Sequence, residues 1–165
     1  DTLRLQGMAV QGQVLDFGGG IGTHALSAAA LSEVDHVWFV DLNPHNQAFV
    51  QQRAESLGLA DKLSVHRDLS STGDVRFDAV VCLDVLEHLP DPSAQLLEFH
   101  QRMAPGAIAL LNWYFFKGHQ GEYPFHFDDP ALVDGFFRTL QAQFLEVFHP
   151  LLITARLYRS LNGSC

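Results

Sequence analysis

The sequence predicts an α/β fold, a doubly wound and mostly parallel sheet with helices on both faces. Three observations carry that prediction. Short apolar runs rich in Val and aromatic residues alternate with helix-length segments. Four glycines crowd the end of the first such run, in VLDFGGGIGTHAL, Val14 to Leu26. The later helical segments open on Asn–Pro or Asp–Pro pairs, the start expected where a capping side chain precedes a proline at the first helical position.

In chain order, Gln13–Phe17 and Val34–Val40 (VDHVWFV) are apolar, too short for free-standing helices, and read as buried strands. Between them Thr23–Leu31, rich in Ala and Leu, reads as a helix packed on the sheet. Pro44–Leu57 is a second helix, capped by Asn43 and stopped by Gly58. Leu63–His66 and Phe77–Leu83 (FDAVVCL) are strands three and four, the latter continuously apolar as in strands covered on both faces. Asp91 and Pro92 open a third helix through Met103, which Pro105 and Gly106 close. Ala107–Asn112 is a fifth strand. Asp129 and Pro130 start a fourth helix, with Leu132, Val133, Phe136, Phe137 and Leu140 along one face. Phe144–His149 and Leu152–Tyr158 have no helix between them and suit an antiparallel pair, completing seven strands. The long irregular stretch is Trp113–Asp128, WYFFKGHQGEYPFHFD, and a connection of that length is more often functional than accidental.

Composition bounds the function. The 165 residues suit one domain, and 47% hydrophobic residues with 13 Phe can fill its core. Nineteen acidic against 10 basic residues, a formal charge of −9, argue against nucleic acid as substrate, because affinity for a phosphate backbone comes from clustered Lys and Arg. No apolar run approaches the roughly 20 residues of a membrane span, so no membrane role is expected. Only two cysteines, Cys82 and Cys165, occur, which favours a reducing, cytoplasmic setting over a disulfide framework.

The glycine cluster narrows the ligand. A dinucleotide fingerprint starting at Gly18 needs glycine at position 23, where Thr23 stands; one starting at Gly19 needs glycine at 21, where Ile21 stands. The stretch instead fits acidic-x-G-x-G-x-G, with Asp16, Gly18, Gly20 and Gly22. A carboxylate before the glycines would repel a pyrophosphate and suits a nucleoside with a cationic end. The same glycines also suit a tight strand-to-helix turn, Asp41 a helix cap, and Asp68 a solvated polar run.

At this point the sequence resembles the class I S-adenosylmethionine-dependent methyltransferases. VLDFGGGIGT is similar to their first motif, VWFVDLNP to the second-strand motif ending in Asp41, VHRDL to the third, and FDAVVCLDVLEHLPDP to the fourth-strand segment of the small-molecule branch, in order from Val14 to Trp113. The resemblance implies a seven-stranded Rossmann-like fold with an antiparallel last strand, and S-adenosylmethionine as cofactor with S-adenosylhomocysteine as product. It implies Asp16 toward the cofactor's ammonium and Gly18, Gly20 and Gly22 beneath its methionyl and ribose parts. Asp41 would lie on the ribose hydroxyls, Leu42 and Leu83 against the cofactor, and Asp68 with Leu69 at the adenine. LDVLEHLPDP lacks the [ND]-P-P-[YF] motif of many amino-methylating enzymes and resembles ubiquinone-biosynthesis and natural-product O-methyltransferases, which implies a small-molecule acceptor, a hydroxyl oxygen. Candidate bases are His88 beside the cofactor segment and, in the long irregular stretch, His119 and His126, with His126 and His88 taken as the catalytic pair. His119, His126, Asp128 and Asp129 match no metal motif, so no metal is expected.

Related enzymes carry helices before the first motif that close over the cofactor; here only DTLRLQGMAVQGQ precedes it. The expectation is a single catalytic domain over 1–165 that lacks the usual lid helices, being either a trimmed catalytic core or one whose lid comes from a neighbouring domain or second subunit. A methyltransferase-like binding or scaffold domain without turnover is the alternative.

Overall fold

The structure, a computed structural model, describes residues 10–147 and 154–161. Its strands are β1 (Gly12–Phe17), β2 (Val34–Val40), β3 (Leu63–His66), β4 (Phe77–Cys82), β5 (Met103–Leu111), β6 (Phe144–Val147) and β7 (Arg156–Ser160). They form one seven-stranded sheet in the order β3-β2-β1-β4-β5-β7-β6. The pairs β1–β2, β1–β4, β2–β3 and β4–β5 are parallel, whereas β7 runs antiparallel to both β5 and β6. Four helices cover it: α1 (Thr23–Ala29), α2 (Pro44–Ser56), α3 (Pro92–Arg102) and α4 (Pro130–Gln143).

Successive strand residues point to opposite faces, so each strand feeds two cores. Val14, Val37, Phe39 and Ala79 pack with Ala25, Leu26, Val50 and Ala54 of α1 and α2. Leu15, Val40, Val80 and Ala109 pack with Leu96, Phe99, Phe136 and Leu140 of α3 and α4. The result is the three-layer α/β/α arrangement that the alternation predicts, with the strand order reversing between β1 and β4, where a ligand crevice opens at the carboxyl ends.

The helix starts follow their Asx–Pro pairs. Asn43 accepts from the His45 amide, Asp91 from the Ala94 amide, and Asp129 from the Ala131 and Leu132 amides, each with proline at the first helical position. Boundaries shift by one or two residues from expectation, except at β5 and at β7, which begins at Arg156, after Thr154 and Ala155, and runs on to Ser160. Pro105 and Gly106 do not close the third helix before a loop; α3 ends at Arg102 and β5 begins at Met103. The β4 register runs from Phe77↔Met103 to Ala79↔Ile108, so Pro105 and Gly106 form a bulge inside the strand. The predicted strand ends at His149 and Leu152 lie outside the described residues, as do residues 1–9, on which the lid expectation partly rests.

Trp113–Asp128 has neither helix nor strand, yet is held by aromatic packing. Trp113 and Phe115 meet the fully buried Phe136 of α4 edge-on, at centroid distances of 5.0 and 4.8 Å. Tyr114, Phe116, Tyr123 and Phe125 face outward. The segment is thus core cover on one side and exposed aromatic surface on the other.

Phe136 anchors both α4 and this segment, so Phe136→Ala should cost about 3–5 kcal/mol. Urea denaturation checks this, with a loss below about 1 kcal/mol showing that the segment holds without the ring.

Candidate functional site

The chain leaves β1 into the loop Gly18–Gly22. Gly18 N donates to Val40 O (2.7 Å), and Gly22 N to Gly19 O (2.9 Å). A Cβ built on Gly18 would fall 2.3 Å from Val85, one on Gly19 2.5 Å from the Asp16 carboxylate, and one on Gly22 2.6 Å from Val50. These three glycines admit close packing by neighbouring elements. Gly20 differs: its φ is +56°, and a Cβ there meets nothing within 4 Å. It borders open space that a ligand could fill.

Two carboxylates brace the loop. Asp16 is 2% exposed, and its Oδ2 accepts from the Ala25 amide at 2.9 Å, capping the first turn of α1 that Gly22 cannot cap with a side chain. Burial pushes the Asp16 carboxyl up to about 7; the Ala25 amide opposes the rise and the Asp41 charge adds to it. At the end of β2, Asp41 Oδ2 accepts from the Gly20 amide (2.9 Å) and Oδ1 from the Asn43 amide (2.8 Å), with Asn46 Nδ2 3.3 Å from both oxygens. These contacts meet the roughly four acceptor sites of the carboxylate, and only the two long ones from Asn46 come from a side chain that a ligand donor could replace, which would open one site on each oxygen.

A cavity of about 470 Å³ opens beside Asp41. Its wall includes Gly18, Asp41, Leu42, Asp68, Leu69 and, from the α3 side, Leu89. Leu42 is 71% exposed, an apolar side chain presented to this space rather than buried. Asp68 caps the turn Leu69–Thr72: its carboxylate accepts from the Ser70 hydroxyl (2.6 Å) and the Ser71 amide (3.1 Å), which hold it below the usual carboxylate range. Asp16, Gly20, Gly22, Leu83, His88 and His126 do not line this cavity. Leu83 is half-buried, and Val85 two residues on lines the wall instead.

The rim beyond β4 forms a second group. Asp84 has φ +55°, the sole left-handed non-glycine among the described residues, and exchanges two hydrogen bonds with the side chain of Asn112 at the end of β5. The turn Leu86–His88 follows. Glu87 O accepts from the Phe127 amide (2.8 Å), and His88 Nδ1 lies 3.2 Å from Phe125 O, so His126 is held between two pinned neighbours. The His88 and His126 rings meet edge-on at 4.7 Å. One ligand atom each from Glu87, His88 and His126 lies within 4.8 Å of the others, a grouping able to hold a metal ion. His119 packs against Phe116, and Asp129 is occupied as the α4 cap.

Residues 3–133 match the methyltransferase domain family. The chain belongs to that family. It is 34% identical over 104 residues to a ubiquinone biosynthesis O-methyltransferase of Psychrobacter arcticus, an alignment covering 61% of this chain and 40% of that protein. The chain therefore spans less than half the length of this curated relative. Among solved structures, the PH0226 protein of Pyrococcus horikoshii superposes with a TM-score of 0.70 at 16% identity, covering 96% of this chain and 86% of that one. An rRNA methylase of Streptococcus thermophilus superposes with a TM-score of 0.62 at 16% identity, over 90% and 85%. At these identities the superpositions establish the Rossmann-like methyltransferase fold.

Within this methyltransferase domain, sequence reasoning named both histidines of the rim but not Glu87. The available signal was its place in LEH, an acid between apolar residues directly after a buried strand. Val85 and Leu89 were missed because an apolar residue on a ligand wall reads like any core residue. No helix among the described residues is long and apolar enough to cross a membrane.

The Asp16 carboxyl ionises near its ordinary 3.8 in the unfolded chain and near 7 in the folded one. Between these values the folded state holds the extra proton, so stability should fall as pH rises from about 4 to 7, by on the order of 3–4 kcal/mol. Urea denaturation across that range should show this slope in the wild type and its loss in Asp16→Asn; parallel slopes would remove Asp16 as its source.

Proposed function

We propose that the chain binds S-adenosylmethionine and moves its methyl group to a hydroxyl oxygen of a small-molecule acceptor. The observation that carries the reading is the Asp41 carboxylate, fixed by backbone amides beside a nucleoside-sized cavity, with one acceptor site on each oxygen held only by a long contact from Asn46 that a ligand hydroxyl can replace. Both ribose hydroxyls can donate to it, Leu42 and Leu89 offer apolar contact to the adenine, and Asp68 accepts from the exocyclic amine. The open space at Gly20 suits the ribose and methionyl parts.

The cofactor supplies an activated methyl on a sulfonium, so the protein's task is alignment, exclusion of water and removal of the acceptor proton. His126 takes that proton, with His88 the neighbouring candidate. A carbonyl only accepts, so contact with Phe125 O places the proton of neutral His88 on Nδ1 and leaves Nε2 free. Exposed Tyr114, Tyr123 and Phe125 beside His126 suit an aromatic or apolar acceptor. The charge of −9 supports a small molecule over nucleic acid.

Calorimetry with S-adenosylhomocysteine should give binding in the wild type, weakened about tenfold or more in Asp41→Ala, the loss expected for a charge-assisted diol contact. Absence of wild-type binding would overturn the cofactor assignment. Gly20→Val should remain folded and lose binding, and retained affinity would exclude the loop from the ligand's path.

With an accepted hydroxyl substrate, His126→Ala should lower turnover by about a hundredfold while leaving cofactor affinity nearly unchanged. Normal turnover would end the assignment of His126 as base. Binding without turnover on any hydroxyl acceptor would favour a scaffold domain.

A further inference from the structure

We infer that Glu87 is a positioning residue for His126: its buried carboxylate accepts a hydrogen bond from the imidazole Nδ1–H, which keeps the proton on Nδ1 and leaves the Nε2 lone pair as the basic site. This rests on the reading of His126 as proton acceptor, although its first test is independent of turnover.

Glu87 is 1% exposed, and its Oε2 has no hydrogen-bond partner. His126 Nδ1 is likewise buried and without one. Both groups have lost water and gained nothing in its place, an arrangement that native interiors rarely leave uncompensated. A carboxylate only accepts, whereas a neutral imidazole donates from whichever nitrogen carries its proton. The tautomer with the proton on Nδ1 therefore satisfies both atoms without bringing anything else in.

The chain is built to hold the two together. The flanking residues Phe125 and Phe127 are pinned to His88 and Glu87 respectively. Tyr123 stacks on the His126 ring at 5.0 Å and 17°, and Tyr114 and His88 meet it edge-on at 5.9 and 4.7 Å. Ring rotation is restricted on three sides. A carboxylate oxygen of Glu87 and a ring nitrogen of His126 lie within 4.8 Å of each other, so a side-chain adjustment brings the two groups to hydrogen-bond length, and such contacts often tighten only when reactants are bound. The logic is that of a base oriented by a buried acid.

The test is a long-range proton–nitrogen correlation spectrum of the full chain with labelled histidine, treated with chelator, at pH 8. His126 should carry its proton on Nδ1. In Glu87→Gln, whose amide donates as readily as it accepts, the ratio of the Nδ1–H to the Nε2–H form should fall about tenfold or more. A wild-type His126 protonated on Nε2, or an unchanged ratio in Glu87→Gln, would overturn the inference. So would stoichiometric uptake of Zn²⁺ by the wild type that Glu87→Gln abolishes, since the three side chains would then form a metal centre. If Glu87→Gln does not fold, the wild-type tautomer decides alone. Absence of methyl transfer with the Nδ1–H form intact counts against the proposed function and leaves the Glu87–His126 pair standing.

Discussion

The Gly20 amide on the Asp41 carboxylate is the contact around which the carboxyl edge of the sheet is organised. It joins the loop after β1 to the end of β2, and the same carboxylate accepts from Asn43 at the entrance to α2. One side chain thereby fixes the glycine loop, the start of a helix and one wall of the cavity. The two shortest of its contacts come from backbone amides, so its orientation rests mainly on the backbone, with the Asn46 side chain adding two longer ones. A group held this way would be pre-organised for the proposed ribose diol.

Asp16 plays the complementary part from behind. It is buried where ionisation is costly and is retained at the first turn of α1. Its carboxyl and that of Asp41 lie close enough to influence each other, so the charge on one side of the loop is coupled to that on the other. A cationic ligand end near the loop would favour the ionised form of Asp16, and that electrostatic logic connects the acidic residue before the glycines with the proposed cofactor.

The rim beyond β4 is organised by different means. There the backbone carries strain at Asp84, offset by its paired hydrogen bonds to Asn112, and the irregular segment is held by aromatic rings rather than by a regular ladder. Loops positioned on a rigid sheet are where acceptor recognition can vary without disturbing the fold. The division between a backbone-braced cavity and a side-chain-braced rim matches the proposed separation of cofactor and acceptor.

Much of this was legible in the chain. Seven strands, four helices and three Asx–Pro helix starts follow from local periodicity and capping chemistry, which depend on neighbours in sequence. So do the glycine-rich turn after the first strand and the location of Asp41 at a strand end. Other features required the tertiary structure. The bulge at Pro105 and Gly106 arises because β5 must match the register of β4, a non-local demand that overrides the helix-stop reading of the same two residues. The division of glycines into three that admit packing and one that faces open space depends on Val85 and Val50, remote in sequence. The grouping of Glu87, His88 and His126 exists only because Phe125 and Phe127 are tied to the turn after β4. By itself the sequence determined which elements form and which strand ends carry polar groups, since those follow from short-range sterics and hydrogen bonding. Only the tertiary structure decided which of those groups share a wall, because that depends on register and on side chains packed from distant parts of the chain.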